Sequence, residues 1–151
     1  MKNFIGLFFC LASCLTTTVY SQELITKAES DAEQARLSIG MLTSKALPIK
    51  GAPQIEVMEP DMKAELATPL QIRIKFITEG GASLIPSSLR VYYGTFGIDI
   101  TERLMKKAKF EGDMLVLDRA EIPTGVHRLL LKIKDDTDRA SEKLLTLNIV
   151  R

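Results

Sequence analysis

The chain has no tryptophan, a single histidine and two cysteines among its 151 residues. His127 alone cannot supply a multi-histidine metal site, a thiol nucleophile has little to draw on, and a tryptophan-lined sugar platform is excluded. Charge of one sign is equally scarce. Twenty Lys and Arg stand against 19 Asp and Glu, a formal net charge of +1, which leaves no polyelectrolyte footprint for nucleic acid and no acidic solvating tail. No apolar run approaches the ~20 residues that cross a bilayer as a helix. What remains is 46% hydrophobic and 26% charged residues, the balance of a globular chain, at the length of one ordinary domain.

The first 21 residues read as an address for export. Lys2 precedes the apolar run Phe4 to Ala12, and a short polar stretch ends Val19-Tyr20-Ser21. Val19 and Ser21 suit signal peptidase at the positions three before and one before a cut, which makes Gln22 the mature N-terminus. Leu11-Ala12-Ser13-Cys14 also resembles a bacterial lipobox, so lipidation of Cys14 is the alternative, and the only route to the membrane that the sequence offers. Removing residues 1–21 leaves 130 residues with 19 basic and 19 acidic side chains and no cysteine. Such a chain enters an oxidising compartment without a disulfide, so its fold rests on core burial.

Residues 22–53 read as an N-terminal helix or linker. Ser30-Asp31-Ala32-Glu33 has the form of a capping box, while the apolar residues around it are mostly alanine, so a weak helix and a disordered tether are both open. Pro48 to Pro53 stops any helix and marks a domain boundary. From residue 54 the hydrophobic period becomes two. Ile55 and Val57, then Leu70, Ile72, Ile74 and Phe76, then Leu89, Val91 and Tyr93 alternate with polar neighbours, and glycine, proline or aspartate turns separate the runs. Met114 to Leu117, His127 to Ile133 and Leu145 to Ile149 continue the series, with Ile98 to Ile100 between. Thr101 is positioned to cap one helical turn through Lys107. About seven short strands over residues 54–151 predict an all-β chain, a single antiparallel immunoglobulin-like sandwich with Greek-key connections.

Ala52-Pro53-Gln54-Ile55-Glu56-Val57 with Pro60, the strand Pro69 to Phe76, and above all Ile122-Pro123-Thr124-Gly125-Val126-His127 running on to Asp135 resemble bacterial immunoglobulin-like domains of exported envelope proteins. The resemblance covers residues 52–151 and implies architecture more than activity, because this fold hosts many functions. The antibody-type Cys-Trp-Cys pattern is absent. Periplasmic copper-binding immunoglobulin-like proteins share the proline-then-alternating-strand opening. Their site depends on an N-terminal histidine and further histidines, whereas His127 is alone here, and Met58, Met62, Met105 and Met114 form no compact tract. Copper binding is therefore not carried over, and no metal or other cofactor is expected.

Each polar candidate has a structural reading beside a functional one. His127 lies in register with Leu129, Leu131 and Ile133, which favours a core or turn-anchoring histidine over a catalytic base. Asp135, Asp136 and Asp138 lack the glycine and bidentate glutamate of a calcium loop and read as a solvated turn. Asp99, Thr101 and Arg103 read as turn and capping chemistry, with Arg103 within reach of Asp99. Asp118 and Glu121 have no aromatic platform to make them a glycosidase pair. If the third, sixth and seventh strands share a sheet, its outer face carries Arg90, Tyr92, Arg128, Leu130 and Lys132, flanked by Thr146 and Asn148. That basic, aromatic and aliphatic strip is the expected partner-binding surface. The resulting expectation is a non-enzymatic exported module, periplasmic or alternatively lipid-anchored or secreted, that binds or scaffolds another envelope protein or a surface polymer. The alternative is a periplasmic small-ligand or metal carrier.

Overall fold

The computed structural model describes residues 23–37, 47 and 49–151. The expected export segment, with Cys14 and the cleavage before Gln22, lies outside the described residues. Helix α1 (Lys27–Gln34) comes first, then strands β1 (Gln54–Glu59), β2 (Leu66–Ala67), β3 (Leu70–Ile77), β4 (Leu84–Tyr93) and β5 (Ile98–Asp99). A short helix α2 (Thr101–Met105) leads into β6 (Lys109–Glu111), β7 (Met114–Ala120), β8 (Gly125–Asp135) and β9 (Ala140–Val150).

The strands form two sheets, ordered β1-β3-β7-β6 and β2-β9-β8-β4-β5. The first has the A-B-E-D order of immunoglobulin sandwiches, and the second contains the C-F-G set as β4, β8 and β9. The expected sandwich is therefore present, with the third, sixth and seventh expected strands in one sheet as anticipated. One pairing departs from the antiparallel expectation: β2 runs parallel to β9, Leu66 beside Ile149 and Ala67 beside Val150. Alternation explains the core directly. In β3, Leu70, Ile72, Ile74 and Phe76 are buried while Gln71 and Lys75 are exposed, since successive side chains point to opposite faces of a strand. They meet Leu89, Val91 and Tyr93 of β4 and Leu129, Leu131 and Ile133 of β8 in one cluster between the sheets.

The N-terminal segment is part of this body. Leu24 and Ile25 are buried at 1% and 0% exposure and belong to the core cluster, and of the two readings left open, residues 27–34 follow the helical one. The helix also begins a turn earlier than expected. Thr26, not Ser30, is the N-cap: its hydroxyl accepts the Glu29 N–H while the Glu29 carboxylate accepts the Thr26 N–H. Thr26-x-x-Glu29 satisfies the same capping-box pattern. Ser30 and Glu33 are instead the buried residues of the helix. In α2, Thr101 is the first helical residue and Ile100 the N-cap. The Asp99 carboxylate accepts the Thr101 N–H at 2.8 Å, and the Thr101 hydroxyl accepts the Val91 N–H at 2.9 Å.

Candidate functional site

Strand register brings the five expected residues onto one face. Arg90 stands opposite Lys132, which stands opposite Glu142; Tyr92 stands opposite Leu130, which stands opposite Leu144; Arg128 stands opposite Thr146. The face is nevertheless divided. Arg128 and Leu130 are each only 6% exposed, because this end of the sheet is not open to water, and Arg128 lies beneath α1. Their expected place on a solvated surface is corrected by that cover.

Arg128 is half of a buried ion pair. Its Nε and Nη2 donate to Oε1 of Glu33 at 3.0 and 2.7 Å. Nη2 also donates to the Thr95 hydroxyl at 2.9 Å, and the Thr95 N–H donates to the second Glu33 oxygen at 2.7 Å. Burial pushes the Glu33 pKa up, but the Thr95 N–H and the Arg128 guanidinium outweigh it and hold the carboxyl below its ordinary value. The helix approaches so closely because glycine stands where it lands. A Cβ on Gly94, whose φ is +68°, would lie 2.8 Å from a Glu33 oxygen, and one on Gly125, φ +131°, would lie 2.7 Å from the Gln34 amide nitrogen. Gln34 in turn donates to the Val126 carbonyl at 2.7 Å.

Arg103 does not pair with Asp99. It turns toward α1, where Nη1 and Nη2 donate to the Glu29 carboxylate at 2.7 and 3.0 Å and Nη1 also reaches the Leu24 carbonyl. The Arg103 hydrogen bonds lower the Glu29 pKa to about 2 against a smaller opposing effect of burial. Glu29, Glu33, Gln34 and Thr95 were missed as a unit in the sequence. The available signal was the spacing of Glu29 and Glu33, one helical turn apart and so on one side of a helix.

His127 is fully buried, with Nδ1 3.0 Å from the Tyr93 hydroxyl and Nε2 2.7 Å from the Pro123 carbonyl. A carbonyl only accepts, so this network assigns the proton to Nε2 and leaves Nδ1 to accept from Tyr93. Burial lowers the His127 pKa against the opposing effects of Pro123 and Glu33, and burial also raises that of Tyr93. The imidazole does what the corner tyrosine does near the start of strand F in immunoglobulin sandwiches, reaching back to the backbone a few residues upstream. Its expected role as a turn anchor agrees with this geometry.

At the far end of β8, Asp135 is fully buried, which corrects the solvated-turn reading for this residue. Its carboxylate accepts from the Thr137 N–H and hydroxyl and from the Arg139 N–H and Nε. Burial opposes ionisation there, yet these donors hold its pKa at about 2. Asp136 and Asp138 are exposed. Asp118 and Glu121, around the end of β7, are exposed as well.

The accessible part of the outer face is Arg90, Tyr92 and Lys132. Arg90 donates to the carbonyls of Leu89 and Ser87. The Lys132 ammonium pairs with Glu142 and lies 5.8 Å from the Tyr92 ring centre. Beside them Arg90, Asp99, Thr101 and Glu102 line an open cleft of about 570 Å³. A second cleft of about 590 Å³, between the end of β1 and the edge of β9, brings Met58 and Met62 together beside Lys143 to Thr146. Met105 and Met114 lie elsewhere, on α2 and β7. Among the described residues no three His, Cys, Asp or Glu side chains are grouped as metal ligands. Every buried side-chain nitrogen and oxygen among them has a hydrogen-bond partner.

No family model matches the chain, and no curated protein matches it. Among solved structures, CopC from Methylosinus trichosporium OB3b is similar at 13% sequence identity and a TM-score of 0.40, over 64% of this chain and 93% of that one.

Proposed function

We propose that the chain is an exported, non-enzymatic module that binds or scaffolds another envelope protein or a surface polymer through the open part of the outer sheet face. Arg90, Tyr92 and Lys132 make the contact; Arg128 and Leu130 form the covered end of the same face. The supporting observation is how the buried titratable groups are used. His127, Glu33, Arg128 and Asp135 are each committed to internal hydrogen bonds, and a general base needs a free lone pair within reach of a substrate proton. What is left outside is a cation-flanked aromatic on a rigid sheet, the kind of anchor that carries binding energy at interfaces. A photocrosslinker at Tyr92 in cells tests it. Capture of one defined envelope component, lost in an Arg90→Glu/Lys132→Glu variant that melts like the parent, is the expected result; an unchanged crosslinking profile in that variant defeats the reading.

A second reading, a carrier of a small ligand or metal, has the Met58 and Met62 cleft as its observation, because paired thioethers are soft ligands. A ligand of the native state raises its melting temperature by mass action. The expected signature of a carrier is a melting shift with Cu(I) or another soft ion that Met58→Leu/Met62→Leu abolishes.

A further inference from the structure

A different surface, at the end of the sandwich beyond the β4–β5 hairpin, combines features that the partner reading leaves unused. Gly94 to Gly97 form the hairpin turn, closed by the Gly97 N–H to the Gly94 carbonyl. At its tip Phe96 is 70% exposed, followed by Ile98 at 41% and Met105 at 36%. The Arg36 guanidinium sits over the Phe96 ring, 4.4 Å from its centre. Lys106 and Lys107 close the turn after α2, and both are exposed or half-buried at the surface.

Helix α1 holds this corner together. Glu33 grips the hairpin through the Thr95 N–H, and Glu29 grips α2 through Arg103. These two carboxylates are one helical turn apart, ~6 Å along the axis, so hairpin and α2 are braced side by side. Lys106 and Lys107 follow α2 directly, in the turn that leads out of it. Glu29 and Glu33 are turned inward onto arginines, and Asp31, the third carboxylate of α1, is exposed but paired with Lys27; Asp99 and Glu102 are the acidic side chains of β5 and α2, and Asp99 is engaged with Thr101. An exposed aromatic on a rigid tip, with aliphatic neighbours and a cationic rim, complements one surface chemistry well. Anionic headgroups attract the rim, and an aromatic ring prefers the boundary between headgroup and acyl chain.

We propose that this corner docks on an anionic phospholipid bilayer, with Phe96 entering the headgroup boundary and Arg36, Lys106 and Lys107 meeting the phosphates. Because the chain has no tryptophan, Phe96→Trp places a single reporter at the tip. The processed chain is mixed with vesicles of phosphatidylcholine alone and with vesicles also containing phosphatidylglycerol, and all variants share one N-terminus so that anything before residue 23 cancels. The expected result is a blue shift of the introduced indole's emission and cosedimentation with the anionic vesicles only, both weakened by added salt. Lys106→Glu/Lys107→Glu should reduce partitioning by about fivefold or more for each charge, and Phe96→Ser should reduce it without changing the circular dichroism. Lys75→Glu, on the outer face of the other sheet, should leave it unchanged. No emission shift with anionic vesicles, equal binding to neutral ones, or indifference to the Phe96 and lysine changes would overturn the proposal. The Tyr92 crosslinking result is independent of all three.

Discussion

Arg128 and Lys132 stand four residues apart on one face of one strand, and the fold uses them in opposite ways. The Arg128 side chain is 8% exposed and its Glu33 partner 4%, whereas Lys132 is 41% exposed beside Glu142. Both are ion pairs of similar length. Removing one partner of a buried pair strands the other charge in a medium that solvates it poorly, while an exposed pair exchanges one set of solvated contacts for another. The covered end of the face is therefore structural in its energetics, and the open end is free to be specific for something else.

That contrast is broken or kept by unfolding measurements. Arg128→Ala leaves Glu33 buried and unpaired and should cost about 3–5 kcal/mol. Glu33→Ala should cost a similar amount, and the double variant should recover part of the sum, a coupling readable in a double-mutant cycle from urea denaturation. If Arg128→Ala proves as mild as Lys132→Ala, the helix does not cover that end in solution.

His127 sharpens the comparison by adding a pH axis to the covered end. Its folded pKa lies below the unfolded value, so the unfolded chain binds the proton more readily. Stability is then complete above about pH 6.5 and declines as pH falls below it. Asp135 and Glu29, both lowered to about 2, add a second decline that begins near pH 4 and continues toward pH 2, because their ionised forms are the ones the fold holds. Stability plotted against pH should show two separate losses. His127→Gln should flatten the first and leave the second; one loss confined to the acidic window would remove the buried neutral imidazole from the account.

The strands were legible because a sheet with one buried face writes its own period into the sequence. Leu70 to Phe76 alternate as cleanly in the fold as in the chain, and in β8 the inward set His127, Leu129, Leu131 and Ile133 is where the period puts it, although Arg128 and Leu130 of the opposite face are buried as well. Glycine and proline marked the turns for equally local reasons. The cover over Arg128 was not legible, since α1 buries Ser30 and Glu33, not an apolar stripe, and a period search finds only apolar stripes. Its apolar contribution comes from Leu24 and Ile25, two adjacent residues outside the helix that make no periodic signal. Alternation says which side of a strand a residue faces; it carries no information on what lies across from that side. The same limit hid Asp135, whose burial depends on Arg139 folding back over the hairpin.

The smaller effects bear on how α1 is held. Thr26→Ala removes the hydroxyl that accepts the Glu29 N–H and should cost about 1 kcal/mol, the usual worth of an N-cap. Glu29 also grips Arg103, so the loss should reach α2 and appear as faster amide exchange at Leu104 as well as within α1.

Smallest of all is the open end. Lys132→Ala should change stability by less than about 1 kcal/mol, and it should do so mostly by releasing Glu142 and the Tyr92 ring. A partner contact through Tyr92 and Lys132 would reverse that ranking for binding while leaving it intact for folding. Arg128→Ala would then destabilise the module without touching the interface directly, and Lys132→Ala would weaken the complex in a module that melts normally. Measuring both variants for both properties separates a face built for stability from one left open for recognition. If Lys132→Ala is silent in binding as well as in folding, the open end has no more claim to a partner than any solvated strand.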